Sequence, residues 1–192
     1  MARILLKTPP MPATRMRSGE GGFTLVELMI VVVILGILAA IAIISFRKYI
    51  QYSKTSEVQA MLGDIRAKQE GYRAEFSQYC AVQGADLTAA APQPAAAPRA
   101  DGRKTAWGTP STAWQQLGFS THGPVYAGYI VVAGMPGEGC GGCPTGMTGD
   151  HWWAAWGLLD LDGDGDRMTF EAISPETDVF QMDNTGNRTE YE

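Results

Sequence analysis

The sequence predicts an α+β fold: one long N-terminal helix whose second half packs on a four-stranded antiparallel sheet. Three observations predict it. Residues 23–46 read FTLVELMIVVVILGILAAIAIISF, and no charged residue occurs from Leu28 to Ser45. From Phe46 to Phe76 apolar residues recur mostly every three or four positions, the period of one helix face. After residue 124, four short β-branched or aromatic runs are separated by turn residues, the pattern of sequential antiparallel strands. Together they describe a lollipop, with an apolar stem and a compact head.

Composition narrows the function classes. The chain has 192 residues, 45% hydrophobic and only 18% charged, enough apolar material for one globular core plus an extra element. Its formal charge of −5 is a mixture. Residues 1–22 carry Arg3, Lys7, Arg15 and Arg17 against Glu20, a balance of +3, so the remainder stands at −8. A net acidic body without a basic stretch in its sequence argues against nucleic-acid binding. With two histidines, neither in a motif, and no phosphate loop or nucleophile–His–Asp set, no enzymatic activity is expected.

Residues 1–22 contain Arg, Pro and Gly without periodicity and read as a processed leader. They lack the apolar core of an ordinary secretory signal, because the apolar run starts after the Gly21-Gly22 pair. Residues 23–46 form the transmembrane helix, since about 20 apolar residues span a bilayer. The basic leader precedes the span and Arg47 and Lys48 follow it, so charge bias supports a cytoplasmic N-terminus only moderately. Residues 47–80 carry the helix into water. Its expected packing face is Phe46, Ile50, Val58, Met61, Leu62, Ile65, Gln69, Tyr72 and Phe76, starting in earnest near Val58. One helix of about 50 residues would be about 75 Å long.

Residues 81–108 are dominated by Ala and Pro and read as an extended, mobile loop. The head, 109–192, opens on Thr109-Pro110-Ser111, a helix N-cap signal with Pro in the first turn, and its short helix ends at Gly118. Strands are expected at Val125–Ala133, Trp152–Leu161, Met168–Ile173 and Val179–Met182.

The most specific motif is Gly22-Phe23-Thr24-Leu25-Val26-Glu27, followed at once by the apolar span. Over residues 19–50 the sequence resembles the type IV pilin superfamily, which includes pilins and type II secretion pseudopilins. The resemblance implies that a prepilin peptidase cuts after Gly22 and methylates Phe23, the first mature residue. It implies a single-pass inner-membrane protein with a periplasmic head, later built into an extracellular or periplasmic filament. Its partners would be homologous subunits, the peptidase, an inner-membrane assembly platform and the bilayer. The residues themselves agree. A carboxylate five residues into a membrane helix is costly unless paired. Cleavage exposes the Phe23 amine, and in a helical stack Glu27 of one subunit meets the amine of its neighbour. Two features depart from the family. Many pilins place a Pro late in the span where this chain has Ile44-Ser45, which leaves Gly36 as the expected weak point. The leader is long, and its basic residues are not adjacent to the cut.

Asp160, Asp162, Asp164, Asp166 and Glu171 fit the calcium template D-x-D-x-D-G-x5-E, with Gly165 at the sharp turn. Their flanks read as strands, so the expectation is a strand–loop–strand calcium site, set against a solvated acidic turn. Calcium is the one candidate cofactor.

Cys140 and Cys143 form a Cys-x-x-Cys, with Cys80 the third thiol. Downstream of an export-type leader a disulfide is expected. Its pairing stays open, although Cys80 with either partner would constrain the unfolded chain most. A zinc site would need His151 with His122 or Cys80, and is the weaker reading. Trp152, Trp153, Trp156, Tyr126 and Tyr129 are read as core rather than as an adhesive patch.

The function expected is a structural subunit of a type IV pilus, major or minor. A type II secretion pseudopilin shares the same N-terminal logic, and a non-polymerising, membrane-anchored calcium-dependent binding module is the reading from another class.

Overall fold

A computed structural model describes residues 22–95, 97–99, 101–143, 147, 150–160, 165–174, 176, 178–182 and 188–189. The expected leader therefore lies outside the described residues, apart from Gly22. The chain divides into two compact units, Met1–Ile44 and Ser45–Glu192.

Helix α1 (Leu25–Phe76) runs through both. Thr24 caps it: the Thr24 Oγ1 accepts from the Glu27 backbone N–H at 3.1 Å. In the first unit every described side chain is exposed. The helix is unbroken at Gly36 and at Ile44-Ser45, so no weak point shows at the glycine. Without a proline, every residue of the span can donate to the backbone ladder.

In the second unit α1 presents a narrow buried stripe, Val58, Leu62, Ile65 and Gln69, at helical spacing. Met61 and Tyr72 pack partly against it. Phe46, Ile50 and Phe76, expected in this stripe, are exposed instead. They fall before and after the stretch that faces the sheet. The stripe meets Tyr129, Val131, Trp153, Ala155, Phe170 and Ala172 in one continuous core. Gly157 makes the approach close, since a Cβ there would sit 2.4 Å from Val58 Cγ1.

Helix α2 (Thr112–Leu117) is capped by the Ser111 hydroxyl and ends at Gly118, whose φ of 69° suits only a residue without Cβ strain. Pro110 precedes the cap rather than standing in the first turn. Trp114 and Leu117 enter the core, where Trp107, Trp114 and Phe119 pack edge-on or tilted at centroid distances of 5.3–5.5 Å.

The sheet is an antiparallel meander in the order β1-β2-β3-β4-β5, with β1 Gly128–Gly134, β2 Trp152–Leu159, β3 Met168–Ile173, β4 Val179–Met182 and β5 Arg188–Thr189. The four expected strands are present, with a two-residue fifth that is too short to leave a periodic signal. β1 starts later than expected because Val125 pairs with Thr105 in an isolated bridge. Both sheet faces are covered. Odd-numbered residues of β2 face α1. Trp152, Ala154 and Trp156 lie on the other face with Ile130, Val132, Met147 and Ile173, covered by Ala85, Leu87, Ala90, Cys140 and Cys143. All the tryptophans of β2 are buried, so the core reading holds.

The Ala/Pro-rich segment is not a free loop. It lines the outer edge of β1. Gln93 and Tyr129 exchange backbone hydrogen bonds of 2.8 Å each way. The Val131 N–H donates to Gln83 Oε1 at 2.6 Å, and the Ala133 N–H to Gly84 O at 3.0 Å. Three successive outward N–H groups of an edge strand are thus satisfied, which blunts the edge against further pairing.

Candidate processing and assembly site

The site is the start of α1. Gly22 and Phe23 precede the helix, outside any regular secondary structure, and both are exposed. A peptidase needs an accessible, non-helical junction, and Gly22 has open space around it. Glu27 stands in the first turn, where a carboxylate opposes the positive end of the helix dipole. Thr24-x-x-Glu27 is also the spacing of a helix capping box, a signal the sequence reading left unused; it marks Thr24 as the residue that starts the helix.

Among the described residues the Glu27 carboxylate has no partner within the chain. Around it Leu25, Val26, Leu28, Met29 and Ile30 are exposed, and the apolar window of α1 is 0% buried. The helix is long and apolar enough to cross a membrane, with a mean hydropathy of 3.2 over its most apolar window. Among the described residues, therefore, nothing covers the apolar rod or the single carboxylate near its start.

Residues 17–43 match the family model for the prokaryotic N-terminal methylation motif. The N-terminal segment of the chain therefore carries a prokaryotic N-terminal methylation motif. It is similar to the type IV major fimbrial protein FimA of Dichelobacter nodosus, 55% identical over 51 residues, which is 27% of this chain and 33% of that one. It is similar to the type IV major pilin protein PilA of Myxococcus xanthus (strain DK1622), 45% identical over 69 residues, 36% of this chain and 31% of that one. The fimbrial protein EcpC of Eikenella corrodens is 40% identical over 75 residues, 39% of this chain and 46% of that one. The matches span about a third to a half of these relatives. No solved structure matches the chain.

Elsewhere the head places the remaining candidates as follows. Cys140 and Cys143 are joined in a disulfide, and Cys80 is free and buried, so Cys80 leaves the expected disulfide set. The reason is position. Cys80 lies on the helix side of the sheet, whereas the other two lie in the layer covering the opposite face. Burial pushes the Cys80 thiol up, away from the reactive thiolate. Its backbone is held by Gln69, whose side-chain amide donates to Cys80 O and accepts from Cys80 N–H, both at 2.9 Å. With two thiols oxidised together, the Cys-x-x-Cys supplies no zinc ligands. His122 is exposed. Among the described residues no group of three or more His, Cys, Asp or Glu gathers as a metal site.

Of the acidic template, Asp162 and Asp164 lie outside the described residues. Asp160 is buried at the end of β2, Asp166 is exposed, and Gly165 has the left-handed φ of 94° that a sharp turn needs. Glu171 stands apart from them. It sits fully buried in β3 opposite Trp156, four residues before Asp160, or about 13 Å along the strand. A helix following the loop would return its twelfth residue to the ion; a strand carries it away. Glu171 is therefore not the closing ligand of that template.

Proposed function

We propose that the chain is a structural subunit of a type IV pilus, cut after Gly22 by a prepilin peptidase, methylated on Phe23 and assembled with other subunits through α1. The observation that carries this reading is the exposed Gly22-Phe23 junction feeding a capped helix, uncharged from Leu28 to Ser45, in which Glu27 lacks a partner among the described residues. Before assembly the span holds the subunit in the inner membrane, N-terminus cytoplasmic and head periplasmic, where an assembly platform collects it. In the filament, the Glu27 carboxylate meets the Phe23 amine of a neighbour, and the apolar rods cover one another. The role is structural, with no catalysis. The named relatives are fimbrial and pilin proteins, which favours a pilus over a secretion pseudopilus.

Replacing Glu27 with Ala tests it. Surface filaments should fall at least about tenfold, because the neighbour's amine is left unpaired in an apolar core, while membrane levels and head unfolding stay unchanged. Undiminished filaments would count against assembly through Glu27.

Calcium binding is proposed for the β2–β3 loop on its own carboxylates, Asp160, Asp162, Asp164 and Asp166, with Gly165 at the turn. Calorimetry on the full chain in detergent should give heat with calcium and a higher Tm. Neither response would end that proposal.

A further inference from the structure

One side of the head carries a concentration of positive charge that the assembly motif does not use. Lys54 of α1 holds its Nζ 5.1 Å from the centre of the Tyr126 ring, and Lys104 holds its own 4.6 Å from the same ring. Lys54 Nζ also donates to Gly102 O at 3.4 Å, which ties α1 to the 99–104 segment. Arg99, Arg103 and Lys104 are all exposed there. Arg47 stands seven residues before Lys54, hence on the same helix face, and is exposed too. Two acids enter this band, Glu57 against Lys104 at 2.6 Å and Asp101 against Arg99 at 2.7 Å. The Arg99 guanidinium and the Arg103 backbone N–H hold the Asp101 carboxyl down at about 2, so it stays charged. Five cations against two acids leave +3 on this band, in a chain that without residues 1–22 stands at −8.

Aromatic side chains accompany the cations. Phe46, Tyr49 and Tyr52 are exposed by 63%, 71% and 64%. Tyr49 and Tyr52 stand two residues from Arg47 and Lys54 respectively, on the opposite helix face, so the rings flank α1 at this level instead of joining the band. Amphipathic rings directly after an apolar run are the composition that settles at lipid headgroups. We propose that this band, Arg47, Lys54, Arg99, Arg103 and Lys104, docks the unassembled head on the anionic headgroups of its own membrane. The inference rests on the membrane-anchored reading given above. If the apolar run spans the bilayer, Arg47 stands at headgroup level, and Lys54 is at most about 10 Å of helix beyond it, roughly one Debye length. Docking would keep the head low until assembly removes the span from lipid.

The test is lysine footprinting of the full chain, one copy per nanodisc, in phosphatidylcholine alone and in a bilayer about one-third phosphatidylglycerol. A water-soluble amine reagent reads Lys54 and Lys104, and exposed Lys68, farther along α1, is the internal control. In the anionic bilayer Lys54 and Lys104 should label at least about threefold more slowly; salt should reverse this, and Lys68 should not change. The double substitution Arg99→Gln and Arg103→Gln should restore most of the labelling with both reporters intact. Equal labelling in the two bilayers overturns the proposal. Slow labelling in both, deepening with more copies per disc, overturns it in favour of contact between heads. A chain that fails to enter either bilayer overturns the membrane anchor itself, and this inference with it.

Discussion

The apolar half of α1 and the head solve the same problem in opposite ways. Both are rich in apolar side chains. In the head, period-2 strands and a period-3.6 stripe bring these residues together, so Val58, Leu62, Tyr129, Val131 and Phe170 are fully buried. In the first half of α1 they point outward on every side, and the described residues offer nothing to cover them. A helix that is apolar all round has its burial partner outside the molecule. The difference separates what the chain stabilises alone from what lipid or other subunits must stabilise.

Paired substitutions of the same chemistry break or sharpen that contrast. Leu62→Ala should cost the head about 3 kcal/mol, as expected for a large-to-small change in a packed core. Leu35→Ala, exposed in the apolar half, should leave head unfolding within about 0.5 kcal/mol. Denaturant unfolding of both variants in detergent measures the two values, and equal losses would erase the contrast. A smaller effect is expected at Gln69. Gln69→Leu keeps the apolar contact but strips the Cys80 N–H and C=O of their partners, which should cost about 2 kcal/mol. Smaller again is the loss of the Cys140–Cys143 bridge. It closes a very short loop, so Cys140→Ser should cost about 1.5 kcal/mol, visible as a lowered Tm under non-reducing conditions.

What could be read from sequence follows from the range of the interactions involved. The span, the β3 and β4 limits and the Gly118 end of α2 are set within a few residues, and pattern alone locates them. The covering of β1 depends on Gln83, Gly84 and Gln93 reaching residues about 36–49 positions away, and Ala/Pro composition conceals it. The same limit applies to Cys80: spacing cannot say which side of the sheet a thiol occupies. Glu171 shows how a correct motif can lose its meaning. The template fits residue by residue, but strand flanks replace the helices that would fold its last ligand back to the loop. At the proposed assembly site, the Gly22-Phe23 junction and Glu27 stand out in sequence because residue type, charge and apolar length are all local. Thr24 was legible too, through the capping-box spacing.

The central claim is that the mature chain begins at Phe23 and enters a filament by α1. Its most direct test is the intact mass and N-terminal sequence of the chain recovered from sheared surface filaments. The account predicts a chain that starts at Phe23, carries one added methyl group on its amine and lacks residues 1–22. A filament chain that retains the leader, or that starts elsewhere in the span, would contradict it.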